Sequence, residues 1–129
     1  MRGTLQPFVT MSLVFISLVA LTDAASAGDP YGNWVRPSTG TQVRFYNCGG
    51  KLCGKIVAVK EEARTKEIGV MILNGALKSG ANKWQGDMLD AGTGKVYSGV
   101  VISLDDANVL SVKGCVMVIC RTERWSRVR

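Results

Sequence analysis

The chain has 129 residues, of which 47% are hydrophobic and 20% charged, and this composition of a single globular domain excludes collagen-like, coiled-coil and disordered proteins. It carries 16 Lys and Arg against 10 Asp and Glu, a net charge of +6, and no His. The missing imidazole excludes Ser-His-Asp and Cys-His catalytic systems and His-ligated metals, so neither a metal nor a cofactor is expected.

The N-terminal segment has the pattern of a secretory signal peptide. Arg2 gives it a positive start, residues 8–21 are almost unbroken apolar, and small residues follow as Ala25-Ser26-Ala27. This apolar run is shorter than the roughly 20 residues that a membrane-spanning helix needs. The sequence predicts a signal peptide over residues 1–27, export to the periplasm or the cell exterior, and one mature domain over residues 28–129.

The mature domain is predicted to be all-β. Short alternating runs rich in Val, Ile, Tyr and Trp recur between Gly, Asn and Asp clusters, and no stretch keeps a helical apolar period for three turns. The predicted strands are 33–36, 41–47, 53–59, 69–73, 84–89, 96–104, 109–114 and 121–128. The charged run 60–67 is expected to be a solvated loop or one helical turn. Because closure removes exposed sheet edges, we favour an antiparallel up-and-down barrel of eight strands over an open sandwich.

Four cysteines in an exported chain predict two disulfides, with three possible connectivities. A two-residue turn at Gly50-Lys51 would place Cys48 opposite Cys53, within reach of a disulfide. A three-residue loop at 105–107 would join the sixth and seventh strands as a second hairpin.

A barrel of about eight strands can be packed solid or can hold one small ligand, and both possibilities stay open. The inward rows contain small residues that are expected to leave interior volume unfilled: Gly54, Ala58, Ser98 and Gly114. The expected lining of a ligand cavity is Phe45, Ile56, Trp84, Met88, Val100, Ile102, Leu110 and Val112.

Six local patterns coincide along the chain in a consistent order. They are DPYGNW at 29–34, CGGKLCGKIV at 48–57, WQG at 84–86, GKVY at 94–97, Gly114-Cys115 with Cys120, and WSRV at 125–128. Together they resemble the family called domain of unknown function 2147, which comprises small exported bacterial proteins. The resemblance implies a lipocalin-like, calycin-type barrel and brings no established activity or catalytic residue. Similar sequences tend to have glycines between the last two cysteines, where this chain has residues 116–119 (VMVI), so the pairing of Cys115 with Cys120 stays open.

The segment Gly32-Asn33-Trp34 also resembles the G-x-W signature on the first strand of lipocalins. There an Arg from the last strand packs over the Trp and closes one end of the barrel, which covers apolar surface by a cation–π contact. Arg124 and Arg127 are both candidates for this structural role, and strand alternation does not choose between them.

The charged and apolar patterns favour binding over catalysis. No sequence feature brings two carboxylates together for acid–base chemistry, so an enzyme is not expected. In an exported protein a charge of +6 points to anionic membrane or cell-wall surfaces and not to nucleic acid. The apolar run 116–119 is expected either to form an exposed barrel rim or to be buried in strand pairing.

Two functional hypotheses follow. The first is a non-enzymatic periplasmic protein that binds a small apolar or amphipathic molecule inside the barrel. The alternative is a structural or interaction module of the cell envelope, which docks a protein partner or an anionic membrane surface. The sequence leaves open whether the protein is a monomer or a dimer.

Overall fold

The computed structural model describes residues 28–129, so the predicted signal peptide at residues 1–27 lies outside the described residues. A 3-10 helix (Glu62–Glu67) and eight strands build this part of the chain: β1 (Gly32–Val35), β2 (Gln42–Cys48), β3 (Lys51–Ala58), β4 (Met71–Gly80), β5 (Lys83–Asp90), β6 (Lys95–Asp106), β7 (Val109–Val116) and β8 (Ile119–Arg127). Each strand pairs antiparallel with the next, and β1 also pairs with β8. The predicted all-β, eight-stranded up-and-down barrel is confirmed.

The connections alternate between the two ends of the barrel because every strand pairing is antiparallel. One end holds the β2–β3, β4–β5 and β6–β7 turns and the start of β1; we call it the closed end. The other holds the β1–β2 loop, the β3–β4 connection with its 3-10 helix, and the β5–β6 and β7–β8 turns; we call it the open end.

The β2–β3 hairpin turns at Gly49-Gly50 and not at the predicted Gly50-Lys51. Both glycines have positive φ, 70° and 86°, as a type I′ turn requires. Cys48 therefore lies opposite Lys51, and its disulfide to Cys53 runs diagonally, with 5.9 Å between the Cα atoms. The predicted register is wrong by two residues, and an even shift keeps every side chain on its predicted face.

Two bulges account for the other differences from the predicted strands. A shift between Leu104 and Asp106 replaces the predicted loop 105–107 with a tighter turn. There the Asp106 carboxylate accepts a hydrogen bond from the backbone N of Asn108 at 2.7 Å. β4 extends past its predicted end because pairing with β5 outweighs a turn-like composition, and Gly75, with φ of 90°, lies at the shift in that pairing.

The second disulfide joins Cys115 of β7 to Cys120 directly opposite in β8. No cysteine of residues 28–129 is left unpaired. This settles the connectivity that the sequence left open. Of the apolar residues between the two cysteines, Met117 and Val118 form the β7–β8 turn, and Val116 pairs with Ile119.

The closed end is sealed by Arg127 packed on Trp34. The guanidinium carbon lies 4.4 Å from the centre of the indole, which is completely buried. Arg127 also donates hydrogen bonds to three backbone carbonyls at 2.7 to 2.9 Å, those of Asp29, Tyr31 and Ala107. The other candidate, Arg124, lies on the opposite face of β8, beside Ser111. The apolar core fills this half of the barrel, and its most buried members are Trp34, Phe45, Leu52, Leu73, Ile102 and Leu110.

Replacing Arg127 by Ala removes the cation–π contact and three charge-assisted hydrogen bonds. We expect R127A to lower the free energy of unfolding by about 2 to 4 kcal/mol in denaturant titration. The matched control R124A, on the outer face of the same strand, should change it by about 0.5 kcal/mol or less. Equal stability of the two variants would contradict the sealing role.

Candidate ligand cavity

A cavity of about 950 Å³ lies at the open end of the barrel. Its inner wall comes from inward-facing side chains of the strands, and its mouth from the four connections of the open end. The wall is predominantly aliphatic, formed by Val43, Ile56, Ile72, Met88, Val100 and Val112. The cavity therefore presents an apolar surface beneath an opening to solvent.

Trp125 lines the cavity and also belongs to the packed core. Its ring is nearly parallel to that of Phe45, with 5.9 Å between the ring centres. Phe45 in turn lies over Gly54, where a Cβ atom would come within 2.7 Å of the phenyl ring. The volume that Gly54 was expected to leave open is thus filled by Phe45.

Gly114 is the predicted small residue that does line the cavity. A Cβ atom at this position would meet only Val100 Cγ2, at 3.6 Å, which is an ordinary van der Waals contact. The missing side chain therefore contributes open volume. Ser98 is exposed and Ala58 is half-buried outside the cavity lining, so the expectation that they leave interior space is wrong.

The eight predicted lining residues divide between the cavity and the core. Four of them line the cavity: Ile56, Met88, Val100 and Val112. The other four lie in the packed core and do not line the cavity: Phe45, Trp84, Ile102 and Leu110. Alternation along the strands correctly predicted that all eight side chains face the barrel interior. It carries no information about their position along the barrel axis, which decides between cavity and core.

An ion pair between Arg36 and Glu123 lies on one side of the mouth. Arg36 Nε donates to Glu123 Oε1 at 2.9 Å and Nη2 donates to Oε2 at 3.2 Å, which is a bidentate arrangement. Glu123 also accepts a hydrogen bond from Trp125 Nε1 at 3.2 Å. This carboxylate holds the cavity tryptophan and the β1–β2 loop together.

A second ion pair joins Arg64 and Glu67 of the 3-10 helix, at 3.0 Å. Glu67 is only 6% exposed, so the expectation of a solvated run at 60–67 is wrong for this residue. The hydrogen bond to Glu67 raises the pKa of Arg64 above its ordinary value. The pair is internal to the helix and orders its last turn, and both side chains line the mouth of the cavity.

The tip of the β7–β8 hairpin forms an apolar rim at the mouth, which we define as Val116, Met117, Val118 and Ile119. Their exposed fractions are 47%, 94%, 92% and 68%. All four also line the cavity opening. The exposed-rim expectation is therefore the correct one of the two, and the burial alternative is wrong.

Comparison with known proteins agrees with this architecture. A bacterial family described as an uncharacterized protein conserved in bacteria (DUF2147) matches residues 32–127. The chain belongs to the DUF2147 family. No curated protein matches this sequence.

Among solved structures, this DUF2147 protein is similar to HP1028 from Helicobacter pylori, which is described as belonging to the lipocalin family. The two share 16% sequence identity with a TM-score of 0.60, over 79% of this chain and 85% of HP1028. At that identity the likeness shows a shared lipocalin-like fold. The fold implied by the sequence resemblance is thereby confirmed.

Several lining residues of the DUF2147 protein were missed by sequence reasoning. The apolar ones are Val43, Ile72, Tyr97 and Trp125, and the charged ones are Arg36, Arg64, Glu67, Asp90, Arg121 and Glu123. Alternation along β8 puts Arg121, Glu123 and Trp125 on one face. An inward Trp125 could therefore have indicated that the other two also face the cavity. The loop residues carried no such signal, because their positions depend on the closed barrel.

Neither a metal-binding cluster nor a membrane-spanning helix occurs among the described residues. Residues 28–129 hold no cluster of three or more Cys, Asp or Glu side chains able to bind a metal ion. In the same range no helix is long and apolar enough to cross a membrane.

Neutralising Glu67 tests whether its ion pair with Arg64 stabilises the 3-10 helix at the mouth of the cavity. We expect E67Q to lower the free energy of unfolding by about 1 to 2 kcal/mol, because a buried partner of Arg64 loses its charge. The control E62Q alters an exposed residue of the same helix and should change stability by about 0.5 kcal/mol or less. Denaturant titration measures both, and indistinguishable variants would count against this role.

Proposed function

We propose that this DUF2147 protein is an exported, non-enzymatic periplasmic protein that binds a small apolar or amphipathic molecule in its barrel. The observation that carries the proposal is the cavity of about 950 Å³ with an apolar inner wall and a mouth open to solvent. Natural small-molecule sites have volumes of roughly 300 to 1,000 Å³ and similar linings. The lipocalin-like fold, with one sealed and one open end, supports the same function.

The mechanism would be burial of apolar surface without bond chemistry. Removing apolar surface from water contributes about 0.8 kcal/mol per methylene group. The carboxylates of Glu67 and Glu123 each hold an arginine. Neither is therefore available as a general base in the observed arrangement, which supports binding over catalysis.

Export is supported by two observations of different kinds. The N-terminal sequence has the pattern of a signal peptide, which would leave residues 28–129 as the mature domain. Two disulfides in a small domain are typical of an oxidising compartment outside the cytoplasm.

Filling the cavity from Gly114 should weaken binding in a variant that still folds. We expect G114F to weaken binding of the neutral fluorescent probe N-phenyl-1-naphthylamine by about tenfold or more, because a phenyl group would occupy the apolar space. The control K113F adds the same ring to the outer face of β7 and should bind like the unchanged protein. G114L provides a smaller filler if G114F fails to fold.

The same titration tests the mechanism with neutral alcohols of increasing length. From octanol to dodecanol, each added methylene should strengthen displacement of the probe roughly fourfold. A flat series, or unchanged probe affinity in G114F, would contradict binding inside the cavity.

A second candidate function is docking to an envelope protein or an anionic membrane surface. The exposed apolar rim is the observation that favours it, since such patches mark interaction sites. Native mass spectrometry discriminates the two functions. Adducts of lipid mass that disappear after organic extraction support ligand binding. Concentration-dependent dimers that V118D abolishes, without adducts, support docking.

A further inference from the structure

We propose that the cavity selects amphipathic anions, and that Arg121 binds the anionic head group while the alkyl tail lies against the apolar wall. The inference rests on the proposed function and adds to it a preference for charge. Its basis is the pairing of charged side chains around the mouth.

Six charged side chains line the cavity: Arg36, Arg64, Glu67, Asp90, Arg121 and Glu123. Four of them form the two ion pairs of the mouth. The carboxylate of Asp90 accepts hydrogen bonds from the backbone N atoms of Gly92 and Thr93 at 2.9 and 3.3 Å, so it is used in the β5–β6 turn. Each of these five groups therefore has a partner within the protein.

Arg121 differs from the other five. Within residues 28–129 its guanidinium takes part in neither of the two ion pairs nor in any side-chain hydrogen bond. It is exposed to solvent, and it lines the cavity. Arg121 is therefore the one charged side chain of the lining without a polar partner among residues 28–129.

The position of Arg121 suits a head-group contact. It shares the inward face of β8 with Glu123 and Trp125. Of these three residues, Arg121 lies nearest the mouth and Trp125 farthest from it. It lies directly opposite Gly114, which has no side chain to separate it from the aliphatic wall. A ligand could thus place its tail in the apolar space and keep its hydrated head beside the guanidinium.

The chemistry of the guanidinium defines the ligand class. Arginine donates two parallel hydrogen bonds to a carboxylate or phosphate, which adds orientation to charge attraction. The nearest carboxylate on the same strand, that of Glu123, is neutralised by its bidentate contact with Arg36 and so does not repel an anion strongly. The apolar wall and the guanidinium of Arg121 together match a ligand that has an alkyl chain and one anionic head group.

The test compares dodecanoate with dodecan-1-ol, each displacing N-phenyl-1-naphthylamine below its aggregation concentration. We expect R121Q to weaken dodecanoate about 5- to 20-fold, because charge-assisted hydrogen bonds to a solvent-exposed group are lost. Binding of dodecan-1-ol should stay within about twofold, since its burial is unchanged. R121K should recover part of the loss, and the outward control R124Q should bind both compounds normally.

The outcomes separate the two proposals. A loss of affinity in R121Q that is confined to dodecanoate, and that becomes smaller at high salt, supports the role of Arg121. Equal weakening of both compounds in R121Q, or no weakening of either, overturns it, while continued binding of dodecan-1-ol leaves the proposed function standing. Failure of both compounds to bind the unchanged protein would overturn the proposed function as well.

Discussion

The contact between Arg127 and Trp34 makes the two ends of the barrel different, and the cavity depends on that difference. The guanidinium covers an indole that would otherwise face solvent, and its three hydrogen bonds join the chain before β1, the β6–β7 turn and β8. Large side chains can then pack to full density behind this contact. The remaining volume is confined to the opposite end, where it opens to solvent.

The open end combines an apolar interior with ionic groups that are nearly all paired. Arg36 with Glu123 fixes the β1–β2 loop to β8, and Arg64 with Glu67 orders the 3-10 helix beside the mouth. The pair of Arg36 and Glu123 is partly exposed, so it contributes more to the position of the loop than to global stability, whereas Glu67 is buried. A mouth held in place, with no side chain at Gly114 and Trp125 below it, is a preformed site that needs little rearrangement to accept an apolar chain.

The sequence predicted the barrel well because the period-two alternation survives errors of detail. Both hairpin registers were displaced by two residues, yet Phe45 and Ile56 still face inward, since only an odd shift would turn them out. The turn at Gly49-Gly50 could have been chosen from its two glycines, which suit a type I′ turn better than Gly50-Lys51. For β4, the local composition indicated a turn, and pairing with β5 overrode it.

The division of inward residues between core and cavity could not be predicted from alternation. Phe45 and Ile56 have the same inward orientation, but the first is packed in the core and the second faces the open volume. Their difference is one of depth along the barrel axis, which is set by the sealed end and by stacking on Trp125. Arg36, Arg64 and Glu67 were missed for a related reason, because they lie in connections that meet only after closure, whereas alternation along β8 could have indicated Arg121 and Glu123.

Intermolecular nuclear Overhauser effects between bound dodecanoate and the isoleucine methyl groups test the central claim most directly. Ile56 and Ile72 line the cavity, Ile102 is buried in the core, and Ile119 belongs to the exposed rim. If the ligand binds in the cavity, we expect strong nuclear Overhauser effects from its alkyl chain to the methyl groups of Ile56 and Ile72 and none to those of Ile102. Effects confined to Ile119, or absent from all four, would contradict a ligand-binding barrel.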